Sequence, residues 1–288
     1  MEDKNNDYKI FDTFCYNGEP IALLHIEYLY DILDMFIIVE ARESHAGIKK
    51  EELYFKKYAT DFAPYMDKIH YIIVENFSEI ENDTTWQPEI WMSEKAYESW
   101  RREQYQRNYA MVYLKTIKYP YFLYCGDVDE IPDRALFIRL HCDPATCDRL
   151  YNEIQDALHI EMVFFYYNFK WHKIYKWYHA YLTTNKCVQK FTLSELRLMK
   201  PQAHTQYILN GGWHCSYFQS FKDIRRKCES FAHRECDCEE YKTDAHIQHC
   251  FNTGADIFNR GCFEDLKIYI GELPEQFKIF QDKNCVSI

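Results

Sequence analysis

Short apolar runs separated by longer stretches of helical spacing organise the first half of the chain. Tyr8–Phe14 has the composition of a strand. Met35–Val39 is a continuous apolar run of strand length, the pattern of a strand buried on both faces, and Ile69–Val74 and Tyr121–Cys125 read as further buried strands. Pro20–Leu33 reads as a helix, with proline in its opening turn and Ile21, Leu24, Tyr28 and Ile32 on one face. Glu51–Tyr65 reads as a second helix. Ser93–Lys118 reads as a third, reached through a polar, Trp-containing loop around Asp83–Pro88. Strand and helix in alternation imply right-handed crossovers and predict an α/β fold, a mainly parallel central sheet flanked by helices. Ligands of such sheets bind beyond the carboxyl ends of the strands.

The second half is less regular. Leu158–Lys170 is aromatic and strand-like, Gly211–Phe218 reads as a strand entered through a Gly-Gly turn, and Lys222–Arg234 and Asp244–Phe251 read as helices. No repeat and no linker composition interrupts the chain, so one continuous domain over 1–288 is expected.

Composition narrows the class. With 288 residues, 47% of them hydrophobic, the chain has material for a large buried core and is not disordered in character. Its formal net charge of −11 is the opposite of the basic footprint a duplex nucleic-acid binder needs. An anionic ligand would need local cations or a bound metal to offset that field. The opening residues Met1–Asp7 are polar, and the longest apolar stretches, Met35–Val39 and Tyr119–Cys125, are too short to span a bilayer. The expectation is a cytoplasmic protein without an integral membrane segment, in a host cell if its source is viral. The 12 cysteines are scattered and read as reduced thiols.

The candidate chemistry sits at a predicted strand end. Gly126-Asp127-Val128-Asp129-Glu130-Ile131-Pro132 follows the apolar run Tyr121–Cys125. In an extended segment residues two apart point to one side, so Asp127 and Asp129 can converge on one ligand. Mg²⁺ or Mn²⁺ prefers such oxygens and shares them with phosphate. The bland alternative is a solvated turn before a helix, a role Asp133 alone can fill as the cap. In Gly211-Gly212-Trp213-His214-Cys215-Ser216 the glycines permit close backbone approach and present Trp213 and His214. His214 is either a metal ligand or a packed, hydrogen-bonded imidazole. Cys236, Cys238, His246, His249 and Cys250 supply enough ligands for zinc, but their spacing matches none of the common fingers. The run Phe164–Trp171 offers aromatic faces for sugar rings, half of them core if it is a strand.

These motifs, in this order, resemble glycosyltransferase family 17, whose best-known members add the bisecting N-acetylglucosamine to N-glycans. The most specific matches are Asp127–Pro132 and Gly212–Ser216. Phe11–Phe14, Asn17–Glu19, Val39–Ala41, Ser44–Gly47, Gln106–Asn108 and the frame of Lys227, Ser230, His233 and Glu235 support them. The resemblance implies a GT-A-like fold, with residues 1–135 as the nucleotide-sugar half and 136–288 as the acceptor and catalytic half. It implies an inverting, metal-dependent transfer from a UDP-sugar to a glycan, N-acetylglucosamine first and xylose second. Asp129 would bind Mn²⁺ or Mg²⁺ directly, Asp127 would contact the ribose or the metal through water, and His214 would complete the protein ligands. Glu40, Arg42, Arg107, Asn108, Asp127 and Lys227 are the candidates for the donor, Lys227 neutralising the departing diphosphate. Glu235 is the first candidate for general base, with Asp223 and Glu161 behind it and His233 as a further option. The competing readings are a metal-dependent nucleotide-sugar hydrolase, using the same turn without an acceptor groove, and a non-catalytic carbohydrate-binding module.

Overall fold

The computed structural model describes residues 8–78, 80, 93–199, 207–261 and 266–284; the loop around Asp83–Pro88 and the opening Met1–Asp7 lie outside them. The four expected runs are strands: β1 (Lys9–Cys15), β2 (Met35–Ala41), β3 (Ile69–Val74) and β4 (Tyr121–Cys125); β3, expected to be buried, is only half-buried before Val74 because it lies at the sheet edge. They lie parallel in the order β3-β2-β1-β4. Alternate residues feed opposite faces, as a pleat requires. Ile10, Phe36, Ile38 and Phe122 enter one core cluster, whereas Phe11, Ile37, Val39 and Leu123 enter another. Helix Ile21–Leu29 covers the first face, and helix Glu94–Tyr109 packs over β1 and β2.

Beyond β4 the sheet changes character. The later strands are β5 (Glu130–Pro132), β6 (Leu158–Tyr166), β7 (Trp171–His172), β8 (Tyr181–Thr184), β9 (Ile208–Ser216) and β10 (Lys267–Ile268). Strand β8 joins β4 antiparallel, and β6 joins β8 antiparallel. Strand β9 runs parallel to β6 and antiparallel to β5, while β7 and β10 continue the edge antiparallel. The sheet is therefore mixed, and the mainly parallel expectation holds only for its first four strands. The reason is connection length: β6, β7 and β8 are joined by short links that permit antiparallel pairing, where a parallel neighbour needs a crossover.

Helix boundaries differ from the periodic reading: the helix expected over Pro20–Leu33 ends at Leu29, the one over Lys222–Arg234 ends at Ser230, and two others are broken. Glu51–Tyr65 is broken into Tyr54–Lys57, Ala59–Phe62 and a 3₁₀ turn Ala63–Lys68 that carries Pro64 in its first turn. Tyr58, between the first two pieces, leaves helical geometry. The long helix ends at Tyr109 and resumes as Met111–Leu114. Five helices among the described residues had no counterpart in the periodic reading: Arg134–Cys142, Pro144–Glu153, Asn185–Val188, Leu193–Leu198 and Glu275–Asn284. Asp133 does cap the first of them, accepting from the Ala135 amide. Among the described residues no helix is long and apolar enough to cross a membrane.

Candidate active site

The two most specific sequence motifs are hydrogen-bonded neighbours. Strand β5, which carries the end of the acidic turn, pairs with β9 so that Glu130 faces His214, Ile131 faces Trp213 and Pro132 faces Gly212. This approach is possible because residue 212 lacks a side chain: a Cβ there would stand 2.3 Å from the Ile131 carbonyl oxygen. The turn is then closed on its own backbone. The Asp127 carbonyl accepts from the Glu130 amide at 2.9 Å, and the Asp129 carbonyl accepts from the Cys215 amide at 2.7 Å. Strands β6 and β9 both leave the sheet through a left-handed tyrosine, Tyr167 (φ 66°) and Tyr217 (φ 64°). Such strain in a bulky residue persists only where the surroundings enforce it, and here Tyr217 forms part of the cavity wall.

Each carboxylate of the turn has a cation. Asp127 accepts from Arg107 through Oδ1 and from Arg197 through Oδ2, both at 2.6 Å. Burial opposes its ionisation, but the Arg197 and Arg107 guanidiniums outweigh burial and hold the carboxyl down to about 2. Asp129 accepts from Lys227 Nζ at 3.0 Å and faces His214 Nε2 at 3.5 Å. Burial opposes its charge too, yet Lys227 and then His214 hold it well below the usual carboxylate range. Desolvation pushes the Lys227 ammonium down, but Asp129 and Glu19 raise it above the ordinary lysine value. Glu130 is fully buried and accepts from the Asp127 amide (2.8 Å), Trp177 Nε1 (2.5 Å) and both terminal nitrogens of Arg197 (2.9 and 2.8 Å). It braces the turn while Asp127 and Asp129 face the ligand side.

Apart from the buried Glu130, these groups line a cavity of about 560 Å³ at the carboxyl ends of β1 and β4. Its walls come from both halves of the chain. On one side His214 is stacked between Phe164 (4.5 Å, 20°) and Trp177 (4.3 Å, 35°), because β6 and β9 run parallel with Phe164 opposite His214. On the other side stand Ser44, His45, Trp100 and Gln106. Glu235 and His233 are hydrogen-bonded at 2.7 Å and also border the space.

Of the residues expected at the site, Asp127, Asp129, His214, Arg107, Lys227 and Glu235 meet at this cavity. The others do not. Glu40 is wholly buried, and its two oxygens accept from Lys50 Nζ, the Tyr54 and Phe55 amides and Tyr71 Oη; it is a structural anchor with no capacity left for a nucleotide. Arg42 is paired with Glu75 at the surface. Asn108 accepts from the Ser194 amide at 2.9 Å and so docks helix Leu193–Leu198 on helix Glu94–Tyr109. Asp223 lies in the first turn of helix Phe221–Ser230, accepting from Ser220 Oγ at 2.6 Å, off the cavity wall. Glu161 accepts from Tyr178 Oη at 2.9 Å and is likewise off the wall. Among the described residues no three His, Cys, Asp or Glu side chains converge as a metal-holding group. That includes the Cys236–Cys250 stretch, where His246 Nε2 is bonded to the Ile257 carbonyl at 2.7 Å.

Sequence reasoning missed Arg197 and Trp177 as wall residues, while His45 and Gln106 lay in motifs it had matched without giving them a role. The local signal for Arg197 is a capping box, Thr192 with Glu195, that starts its helix.

A mixed α/β sheet thus carries an acidic turn at a strand end, met by Arg107, Arg197 and Lys227 from three helices, beside a cavity lined from both halves of the chain. The chain belongs to glycosyltransferase family 17: the family model matches residues 1–279. It is therefore a glycosyltransferase. No individually curated protein matches the chain.

Proposed function

We propose that this enzyme moves a sugar, with inversion, from a UDP-sugar to a glycan acceptor on a GT-A-like scaffold. UDP-N-acetylglucosamine is the first-choice donor and UDP-xylose the second. The observation that carries the reading is the convergence of Asp129, His214 and Lys227 beside Asp127, with Arg107 and Arg197 behind it. In such a transfer negative charge grows on the departing diphosphate, and fixed cations aimed at that position lower the barrier. Lys227, a protonated amine on the cavity wall, is the residue placed to meet it. Asp127, held by two guanidiniums, presents a fixed carboxylate edge to the ribose.

A divalent ion fits the Asp129 side of this arrangement. Asp129 is ionised and lines the cavity, and two protein ligands suffice where phosphate and water complete the shell. His214 is the second ligand and the weaker one. Its Nδ1 is buried without a hydrogen-bond partner, which favours the proton on Nε2, the nitrogen that faces Asp129 and Ser216, so His214 would ligate an ion only after Nε2 gives up that proton. Mn²⁺ or Mg²⁺ bound there supplies Lewis-acid neutralisation of the diphosphate. Glu235, oriented by His233, is the base for the acceptor hydroxyl, and the Phe164–Trp177 wall offers aromatic faces to the acceptor sugar.

Thermal stabilisation by a panel of nucleotides with and without Mn²⁺ tests the reading. UDP with Mn²⁺ should stabilise most. Equal UDP release with and without a glycan acceptor would favour the hydrolase, and indifference to every nucleotide would remove the proposal.

A further inference from the structure

Beneath the acidic turn lies an ionisable pair that the transfer chemistry does not touch. His25, on helix Ile21–Leu29, and Asp12, on β1, are both wholly buried. Their side chains meet at 2.7 Å, His25 Nε2 to Asp12 Oδ2. The other ring nitrogen, Nδ1, lies 2.9 Å from the carbonyl oxygen of Val128, the residue between Asp127 and Asp129. A carbonyl can only accept, so Nδ1 carries a proton whatever is shared between Nε2 and Asp12. The ring is clamped by Phe14 (5.1 Å) and Tyr124 (6.3 Å), which leaves it one orientation.

The contact completes a pattern. All four carbonyls of the turn are held: Asp127 by the Glu130 amide, Asp129 by the Cys215 amide, Glu130 by Tyr124 Oη at 2.7 Å and Val128 by His25. The Val128 peptide sets the angle between the two aspartates, and His25 is what ties it to the helix on the first face of the sheet. A core position filled for packing alone would be apolar, since two buried ionisable groups carry a desolvation penalty that an aliphatic pair does not. Asp12 Oδ1 is buried without a partner, so this pair is not optimised for stability.

We propose that Asp12 and His25 are positioning residues for the leaving-group site. Asp12 fixes the ring of His25, and His25 fixes the Val128 carbonyl, which sets the direction of Asp127 and Asp129. The inference rests on the reading of the turn given above.

The test compares UDP affinity, in Mn²⁺, of the whole protein and three variants. His25→Phe removes the donor and should weaken UDP about tenfold, the equivalent of one lost hydrogen bond at the turn. His25→Asn places an amide nitrogen near Nδ1, and Asp12→Asn gives Nε2 a donor and keeps the proton on Nδ1. Both should stay within about threefold of the parent, even though all three melt at lower temperature. If His25 only fills space, the affinity of the folded variants will not separate His25→Phe from the two asparagine variants, and the inference is overturned. Nitrogen-15 spectra of the histidine rings give a second check that needs no variant. A protonated, hydrogen-bonded Nδ1 on His25 is expected, and a proton on Nε2 alone would overturn the inference. Asp129→Ala separates the two levels. Loss of UDP binding in it together with unchanged affinity in His25→Phe would leave the turn reading standing and sink the positioning role. Unchanged binding in Asp129→Ala would sink both.

Discussion

The two halves of the sheet make opposite contributions to one site. The parallel strands β1–β4 and the turn after them supply Asp127 and Asp129, while the mixed half supplies Lys227, Arg197 and His214. Arg107, from the helix over the parallel half, is the exception. The parallel half also spends a buried acid on itself: Glu40, at the end of β2, is an anchor with four donors. Acids at neighbouring strand ends thus have unlike roles, and the difference lies in who faces them. Glu40 meets its own half's amides and Lys50, whereas Asp129 meets a cation from the other half.

That contrast can be broken at either end. Glu40→Ala should be the most damaging change to stability, about 3–5 kcal/mol, because it strands the buried Lys50 ammonium and Tyr71 hydroxyl. Denaturant unfolding measures it. Lys227→Ala should instead lower turnover by roughly 10²–10³ with the fold retained, as expected for a lost charge stabiliser. Steady-state rates beside circular dichroism separate the two behaviours; a Lys227→Ala variant with unchanged kcat would refute its role. Gly212→Ala, at the seam between the halves, should cost about 1–3 kcal/mol by forcing Ile131 away, and should reduce activity because the turn moves with β5. The smallest effect concerns acid. Asp127 and Asp129 ionise more readily folded than unfolded, so their contribution is present above the ordinary carboxylate value near 4. It is lost as pH falls toward the depressed folded values. The part of the stability that these two carboxylates supply should be flat from pH 7 to about 4 and drop below that, and Asp127→Asn should flatten part of that drop; the buried His179 and His45, whose protonation burial disfavours, make total stability decline already below about 6.5.

The same contrast explains what could be read from the sequence. Strands β2 and β4 are legible as unbroken apolar runs because both their faces are buried, whereas β3, at the sheet edge, is only half-buried before Val74; the acidic turn was legible as the end of β4. In the mixed half β6 and β9 were legible as strands but the strand order was not, since it depends on which short links permit antiparallel pairing. Arg197 escaped for a related reason: its partners Asp127 and Glu130 lie 70 and 67 residues away, and nothing local marks it as a site residue. Glu40 and Arg42 looked like ligand residues because both sit at a strand end, and only tertiary contacts show that one is consumed by amides and the other by Glu75. Glycine spacing in Gly211-Gly212 did foretell close backbone approach, because that requirement is local.

The central claim is that Asp129 holds the donor's diphosphate end together with a divalent ion. Calorimetric titration of UDP into the parent and into Asp129→Ala, each with and without Mn²⁺, tests it most directly. The account predicts Mn²⁺-dependent binding in the parent and a loss of about 100-fold or more in the variant, with folding intact. His214→Ala, the weaker ligand, should lose less. Equal UDP affinity in the parent and Asp129→Ala, with Mn²⁺ present, would contradict it.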